Sequence, residues 1–313
     1  MISWKNPDES YRDMGMDDYR RLGIMEALKA ISKIIPGREV HALGYCLGGT
    51  LLIITAAAKA RDGTGGLKSL TLLAAQTDFS EPGELDLFVN ESQLAFLEDQ
   101  MQEAGYLEAR QMTGTFQLLR SNDLIWSRLL HDYLLGERRT PNDLMAWNAD
   151  ATRMPARMHS EYLRSIFLEN QLAEGRYMVE GRAIALRDIK APVFAVGAER
   201  DHVAPWRSIY QINVLAGADV TFLLTNGGHN AGIVSEPGHK NCHYRVATLK
   251  RGETYADPET WLHRNQPVLG SWWPEWIGWL KAGSNEFSPP PQMGAADAGY
   301  PPLCDAPGTY IFE

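Results

Sequence analysis

The chain alternates between segments of helical periodicity and short apolar runs. Between residues 19 and 35 apolar side chains recur every three or four positions until Pro36 and Gly37 interrupt them, which predicts a helix. A second helix is predicted over residues 50–60. Four apolar runs are too short for helices and predict buried strands, over residues 40–45, 68–75, 191–197 and 220–224. Strands that alternate with helices favour a mostly parallel sheet.

Residues 80–187 separate the second predicted strand from the third. They show helical periodicity and no strand-like run, and an ordinary connection is far shorter. We therefore expect a helical cap inserted between two parts of one α/β core, residues 1–79 and residues 188–283. Residues 284–313 are rich in proline and glycine and predict an extended tail on the surface.

The first residues form a further short apolar segment. Ile2, Ser3 and Trp4 have the pattern of the end of a buried strand, stopped by Asn6 and Pro7. On this interpretation the N-terminal strands of the sheet are missing. The segment would then be an exposed apolar edge, which promotes pairing or aggregation.

Cys46 is the candidate nucleophile. The motif Gly44-x-Cys46-x-Gly48 joins a predicted strand to a predicted helix, and this is the pattern of a nucleophile elbow with Cys in the usual place of Ser. The flanking glycines are expected because side chains there would clash with the neighbouring strand and helix. The helix N-terminus favours a thiolate, and the N–H of Leu47 can donate to an oxyanion. The alternative is a buried packing cysteine.

An acid and a histidine follow Cys46 in the order of an α/β-hydrolase: nucleophile, acid, histidine. Asp201 comes just after the third predicted strand, and His229 lies in a glycine-rich loop after the fourth. We predict that His229 is the general base and that Asp201 orients it. Asp78, after the second strand, is the rival acid, and Asp201 would then be a solvated or helix-capping residue. His202 is the poorer base because it adjoins Asp201.

Composition and charge exclude other classes of protein. The 313 residues are 44% hydrophobic and 22% charged, which is typical of a globular chain. The net charge of −9, without a long basic run, argues against a nucleic-acid partner. Three widely spaced cysteines fit a reducing compartment, and the sequence has no secretory or membrane-spanning segment. We expect a cytoplasmic protein.

Two further residue groups carry weaker signals. His239, Cys242 and His243 match no standard zinc spacing, so no metal site is predicted. A tryptophan group at helical spacing predicts a helix packed on the sheet, with an acyl or polymer contact surface as the alternative. Its members are Trp272, Trp273, Trp276 and Trp279.

Seven segments, in order along nearly the whole chain, resemble the catalytic half of polyhydroxyalkanoate synthases, the bacterial poly(3-hydroxybutyrate) polymerases. They are ISWKNP at 2–7, GYCLGGT at 44–50, WNADAT at 147–152, YLR at 162–164 with LEN at 168–170, DHVAPW at 201–206, GHNAG at 228–232 and GSWWP at 270–274. Few families share such a set, and the segment with Trp147 resembles the class that uses short-chain substrates.

The resemblance implies an acyltransferase that polymerises (R)-3-hydroxyacyl-CoA, with 3-hydroxybutyryl-CoA as the expected monomer, and releases CoA. Cys46 would carry the growing acyl chain, and His229, partnered by Asp201, would activate Cys46 and the incoming hydroxyl. Coenzyme A enters as a thioester substrate, so no cofactor is expected. The helical insertion would be a lid that excludes water. The resemblance also implies a cytoplasmic homodimer that associates with polyester granules.

The amino terminus departs from this family. Its members have a long N-terminal region with several strands, and their second oxyanion donor would come from a loop after one of those strands. We therefore expect a truncated chain that lacks half of an oxyanion hole, at a cost of about 3 kcal/mol in transition-state stabilisation. Two other hypotheses stay open: a Cys-dependent hydrolase of the thioesterase or dienelactone-hydrolase kind, and a non-catalytic partner of a full-length synthase.

Overall fold

The computed structural model describes residues 1–108, 129–136, 143–149, 152–284 and 288–309. The strands in chain order are β1 Val40–Tyr45, β2 Leu67–Leu73, β3 Tyr106–Leu107, β4 Met154–Pro155, β5 Met178–Val179, β6 Arg182–Ala183, β7 Val193–Ala198, β8 Val220–Thr225, β9 His243–Leu249 and β10 Val268–Leu269. A six-stranded sheet has the order β1-β2-β7-β8-β9-β10. Its first four strands run parallel, and β9 and β10 are antiparallel. The expectation of a mostly parallel sheet is therefore confirmed.

Helices cover both faces of this sheet. In the described part of the chain they are α1 Met16–Tyr19, α2 Glu26–Ile34, α3 Leu47–Arg61, α4 Glu91–Ala104, α5 Asp143–Ala149, α6 Ala156–Glu161, α7 Trp206–Tyr210, α8 Ile212–Leu215, α9 Pro258–Arg264 and α10 Trp273–Ala282. Wider, π-helical turns cover Arg20–Met25, Leu129–Leu134 and Tyr162–Leu168. None of the described helices is both long and apolar enough to cross a membrane.

The predicted strands and helices of the core are present. The first predicted strand coincides with β1, and the others differ from β2, β7 and β8 by one or two residues at an end. The helix predicted over residues 50–60 begins earlier, at Leu47, directly after Cys46. β9 and β10 were not predicted from the sequence.

The prediction of a strand at the amino terminus is wrong. Residues 1–7 have no regular secondary structure, and Ile2 is exposed. The ring of Trp4 packs instead on Tyr19, with ring centroids 5.2 Å apart, and on Gly23, where a Cβ would lie 2.2 Å from the indole. The apolar segment therefore covers a helix rather than joining the sheet. In the described part of the chain, the edge strand on this side is β1.

Where the structure describes it, the insertion between β2 and β7 is mostly helical. It contains α4, α5 and α6, but the expectation that it holds no strand is wrong, since β3 pairs with β4 and β5 pairs with β6. These ladders are only two residues long, and a two-residue ladder leaves no periodicity to detect. Residues 109–128, 137–142, 150 and 151 of the predicted cap lie outside the described residues.

The core has two apolar layers, one on each face of the sheet. Side chains alternate between them along each strand: Leu72 and Phe222 join the layer under α3, whereas Phe194 and Leu223 join the layer under α10. The helix predicted for the tryptophan group is α10, and it packs on the sheet as expected. Four buried or half-buried indoles contribute to this second layer, namely Trp272, Trp273, Trp276 and Trp279.

Candidate active site

Cys46 lies at the sharp turn between β1 and α3. Its backbone has φ 50° and ψ −126°, a conformation that costs a non-glycine residue energy and is found mainly at functional sites. The carbonyl of Cys46 accepts hydrogen bonds from the N–H groups of Gly49 (2.9 Å) and Thr50 (3.1 Å). The N–H of Leu47 occupies the first helical position, where no intrahelical acceptor exists. The turn therefore presents a sulfur and a donor at the helix N-terminus.

The glycines around this turn do not contribute equally. A Cβ on Gly44 would lie 2.5 Å from the Cα of Gly49 and 2.6 Å from the carbonyl oxygen of Gly48. A Cβ on Gly49 would lie 2.4 Å from the Cβ of Ala75. A Cβ on Gly48 meets nothing within 4 Å. The expectation that both glycines flanking Cys46 are sterically required is therefore wrong for Gly48, and the close approach of β1 to α3 depends on Gly44 and Gly49.

Asp201 and His229 form a hydrogen-bonded pair beyond the ends of β7 and β8. The Nδ1 atom of His229 lies 2.7 Å from Oδ2 of Asp201. The other carboxylate oxygen accepts from the N–H groups of Val203 and Ala204, both at 2.9 Å. The side chain of Asp201 is fully buried and that of His229 is 14% exposed. The carboxylate is thus held by three donors and fixes the orientation of the imidazole.

The environment of His229 favours its charged form. Burial lowers the pKa of the imidazole. Three effects outweigh burial and raise this pKa to about 10: the hydrogen bond with Asp201, the side-chain interaction with Cys46, and the negative charges of both groups. An imidazolium beside Cys46 stabilises negative charge on the sulfur. The structure thus brings together the three residues predicted from the sequence, and their geometry suits a thiolate nucleophile with an oriented acid and base.

Tyr45 forms one wall of the site, a role that was not predicted from the sequence. Its hydroxyl donates to the carbonyl of His229 at 3.2 Å and to the side chain of Asn230. Its ring lies 5.3 Å from the imidazole of His229 and 5.9 Å from the ring of Trp147 on α5. Tyr45 therefore ties the histidine loop to the elbow strand and brings a segment of the insertion to the site. The position of Tyr45 between Gly44 and Cys46, next to the candidate nucleophile, was the feature of the sequence that could have indicated this role.

A small pocket lies directly beside Cys46. It offers about 20 Å³ of water-accessible space, which is room for about one water molecule. Most of its wall is apolar, including Phe79 and Phe167, and Tyr162 contributes from the insertion. A small site with a mostly apolar wall limits the access of water to an acyl-enzyme, but an acyl substrate requires the pocket to widen.

The rival residues lie elsewhere. Oδ1 of Asp78 accepts from the side chain of Asn170 at 2.9 Å and from the N–H of Ser80 at 2.8 Å, so this carboxylate braces the insertion rather than the histidine. The Nδ1 of His239 faces Glu236 at 3.3 Å, and Cys242 accepts from Ser235 at 3.1 Å. Within the described ranges no three acidic, histidine or cysteine residues are grouped as a metal site.

Comparisons with known proteins relate the chain to the alpha/beta hydrolase fold. The sequence profile of the alpha/beta hydrolase fold matches residues 1–236. The poly(3-hydroxyalkanoate) polymerase of Methylorubrum extorquens is 41% identical over 99% of this chain and 51% of its own length. The polymerase subunit PhaC of Rhizobium meliloti is 39% identical over 99% of this chain and 50% of its own length. Among solved structures, a monoacylglycerol lipase from Paleococcus ferrophilus covers 87% of this chain, and this chain covers 77% of the lipase, at 14% identity and a TM-score of 0.44.

The resemblance found in the sequence motifs thus extends along the whole chain, as similarity to poly(3-hydroxyalkanoate) polymerases. The chain spans about half the length of the curated relatives it matches.

Proposed function

Because the chain belongs to the α/β-hydrolase fold family, we propose that it uses Cys46 for acyl transfer and polymerises (R)-3-hydroxyacyl-CoA into a polyester. The expected monomer is 3-hydroxybutyryl-CoA. The observation that carries the proposal is a cysteine, rather than a serine, at the elbow beside the His229–Asp201 pair. Similarity to poly(3-hydroxyalkanoate) polymerases supports the choice of substrate.

The first step is acylation of Cys46. The sulfur attacks the thioester carbonyl of the CoA substrate, a new carbon–sulfur bond forms, and the bond to the sulfur of CoA breaks. In the resting pair the thiol proton already lies on His229, whose charged form the site favours, and the imidazolium delivers this proton to the departing CoA thiolate. Asp201 keeps Nδ1 of the imidazole occupied, so that Nε2 serves Cys46. The N–H of Leu47 donates to the oxyanion of the tetrahedral intermediate.

The second step extends the chain. The 3-hydroxyl of one acyl unit attacks the carbonyl of another acyl thioester, so that an ester bond forms, the carbon–sulfur bond of that thioester breaks and its thiolate leaves. His229, neutral after the first step, accepts the proton of the hydroxyl and passes it to this thiolate. Exchange between the thioesters of CoA and Cys46 is nearly isoenergetic, so the acyl group stays activated for this attack. A serine ester would lose that driving force. Water must be kept out, and the apolar pocket and the insertion that covers it suit this requirement.

The remaining features of the assignment belong to the same proposal. No cofactor takes part, since coenzyme A enters and leaves as substrate and product. The chain would act in the cytoplasm as a homodimer on the surface of polyester granules.

Product analysis tests the function. We expect the chain to release CoA from 3-hydroxybutyryl-CoA and to form an ester-linked polymer, and we expect Cys46→Ala to abolish both. Cys242→Ala is the matched control, because Cys242 lies away from the pocket and should leave the rate unchanged. Free 3-hydroxybutyrate without polymer would make the chain a hydrolase. Cys46-independent turnover, or none, would refute the proposal, and association with a full-length synthase without turnover would favour the non-catalytic partner.

A further inference from the structure

The pocket beside Cys46 contains one polar side chain whose hydrogen-bonding capacity is unused. Its polar side chains are Thr50, Gln76 and Tyr162. The hydroxyl of Thr50 donates to the carbonyl of Gln76 at 2.9 Å, and the amide of Gln76 donates to Ser208 at 3.2 Å. Within the described residues, the hydroxyl of Tyr162 has no hydrogen-bond partner. Of the three, Tyr162 is therefore the one whose donor is free to meet a bound acyl group.

The ring of Tyr162 is held in place by aromatic neighbours. Its centroid lies 5.1 Å from that of Phe167, edge to face, and 6.4 Å from that of Phe79. Tyr162 is also the first residue of the π-helical turn Tyr162–Leu168, and turns of this kind occur often at functional sites. A ring fixed by packing can aim its hydroxyl without paying the entropy of ordering a free side chain.

The hydroxyl of Tyr162 keeps its proton. Burial raises the pKa of this phenol well above its usual value, and the negative charge of Cys46 raises it further. A phenol that stays protonated beside a thiolate remains a hydrogen-bond donor at the pH where acyl transfer occurs. Tyr162 and Cys46 are close enough to line the same pocket.

We infer that Tyr162 is a catalytic residue whose hydroxyl donates to the carbonyl oxygen of the acyl group as negative charge develops on it. The inference rests on the proposed acyl transfer at Cys46. The oxyanion would then have two donors: the N–H of Leu47 from the core and the hydroxyl of Tyr162 from the insertion. The rate of acylation would then depend on how the insertion is seated over the elbow.

The test compares two reactions of Cys46 in the full chain. In acylation by p-nitrophenyl acetate, the thiolate sulfur bonds to the acetyl carbon, the ester bond breaks and p-nitrophenolate leaves, while the thiol proton stays on His229. Alkylation by iodoacetamide uses the same thiolate but forms no oxyanion. We expect Tyr162→Phe to slow acylation of Cys46 about 100-fold, and to change the alkylation rate less than twofold. Intact-mass analysis follows both adducts.

A second tyrosine provides the structural control. The hydroxyl of Tyr210 is buried and donates to the carbonyl of Ala256 at 2.8 Å, outside the pocket. Tyr210→Phe should lower the melting temperature and leave acylation unchanged, whereas Tyr162→Phe should not lower it, since its hydroxyl has no partner to lose. Equal acylation of wild type and Tyr162→Phe, or an equal loss of alkylation, would overturn the role of Tyr162. No acylation of Cys46 in the wild type would overturn both proposals.

Discussion

Replacing Gly44 by alanine tests how tightly the elbow is packed. The new Cβ would lie 2.5 Å from the Cα of Gly49, 2.6 Å from the oxygen of Gly48 and 2.7 Å from the nitrogen of Gly49. All three are backbone atoms at a helix start, so relief requires β1 and α3 to separate by roughly 1 Å, since carbon atoms normally pack 3.5–4.0 Å apart. Overpacking of this kind costs about 1–3 kcal/mol, and we expect the upper end.

Gly48→Ala is the matched control two residues into α3. Its Cβ meets nothing within 4 Å, and alanine stabilises a helix by up to about 1 kcal/mol relative to glycine. Urea unfolding followed by tryptophan fluorescence gives both free energies of unfolding. We expect Gly44→Ala to lower the free energy by about 3 kcal/mol and Gly48→Ala to leave it unchanged or raise it. Values for the two variants within 1 kcal/mol of each other would refute this description of the elbow.

Two further predictions concern the histidine and the tryptophan helix. In Asp201→Asn, burial of His229 remains, whereas the charge-assisted hydrogen bond and the negative charge that raise its pKa are lost. The midpoint for loss of the imidazolium, about pH 10 in the wild type, should therefore fall by about 1–3 pH units. Titration of the His229 ring by NMR measures this, and an unchanged midpoint would contradict it. Trp276→Phe removes the indole donor to the buried hydroxyl of Thr71, at 3.0 Å, and should lower the free energy of unfolding by about 1–3 kcal/mol. The control is Ile277→Ala on the exposed face of the same helix, with an expected change below about 0.5 kcal/mol, and equal losses would argue against the packing of α10.

The core of the fold could be predicted from the sequence because its signals are local. The run over residues 40–45 is bounded by Pro36 and Gly37 on one side and by the elbow on the other, so its limits coincide with those of β1. Cys46, Asp201 and His229 likewise each follow the end of a predicted strand, and this position is visible in the sequence. Parallel strands bring such residues to one edge of the sheet, which is why their proximity was predictable from strand positions.

Features set by tertiary packing were not predictable. Ile2 to Trp4 has a strand-like pattern, but the indole of Trp4 is taken up by Gly23 and Tyr19, which are distant enough in sequence to leave no local signal. β9 is interrupted by polar side chains, among them the half-exposed Arg245 and the exposed Thr248, so the apolar run that marks a buried strand is absent. The free space around Gly48 depends on how α3 packs against β1. The Gly-x-Cys-x-Gly motif gives no information about this packing.

The covalent state of Cys46 during turnover tests the central claim most directly. The chain is mixed with 3-hydroxybutyryl-CoA, quenched in acid within one turnover, digested and mapped by mass spectrometry. We expect a 3-hydroxybutyryl adduct on Cys46 that hydroxylamine removes, as expected for a thioester, and that is absent in Cys46→Ala mapped at the same time point. CoA release without an adduct on Cys46, or with the acyl group on another residue, would contradict it.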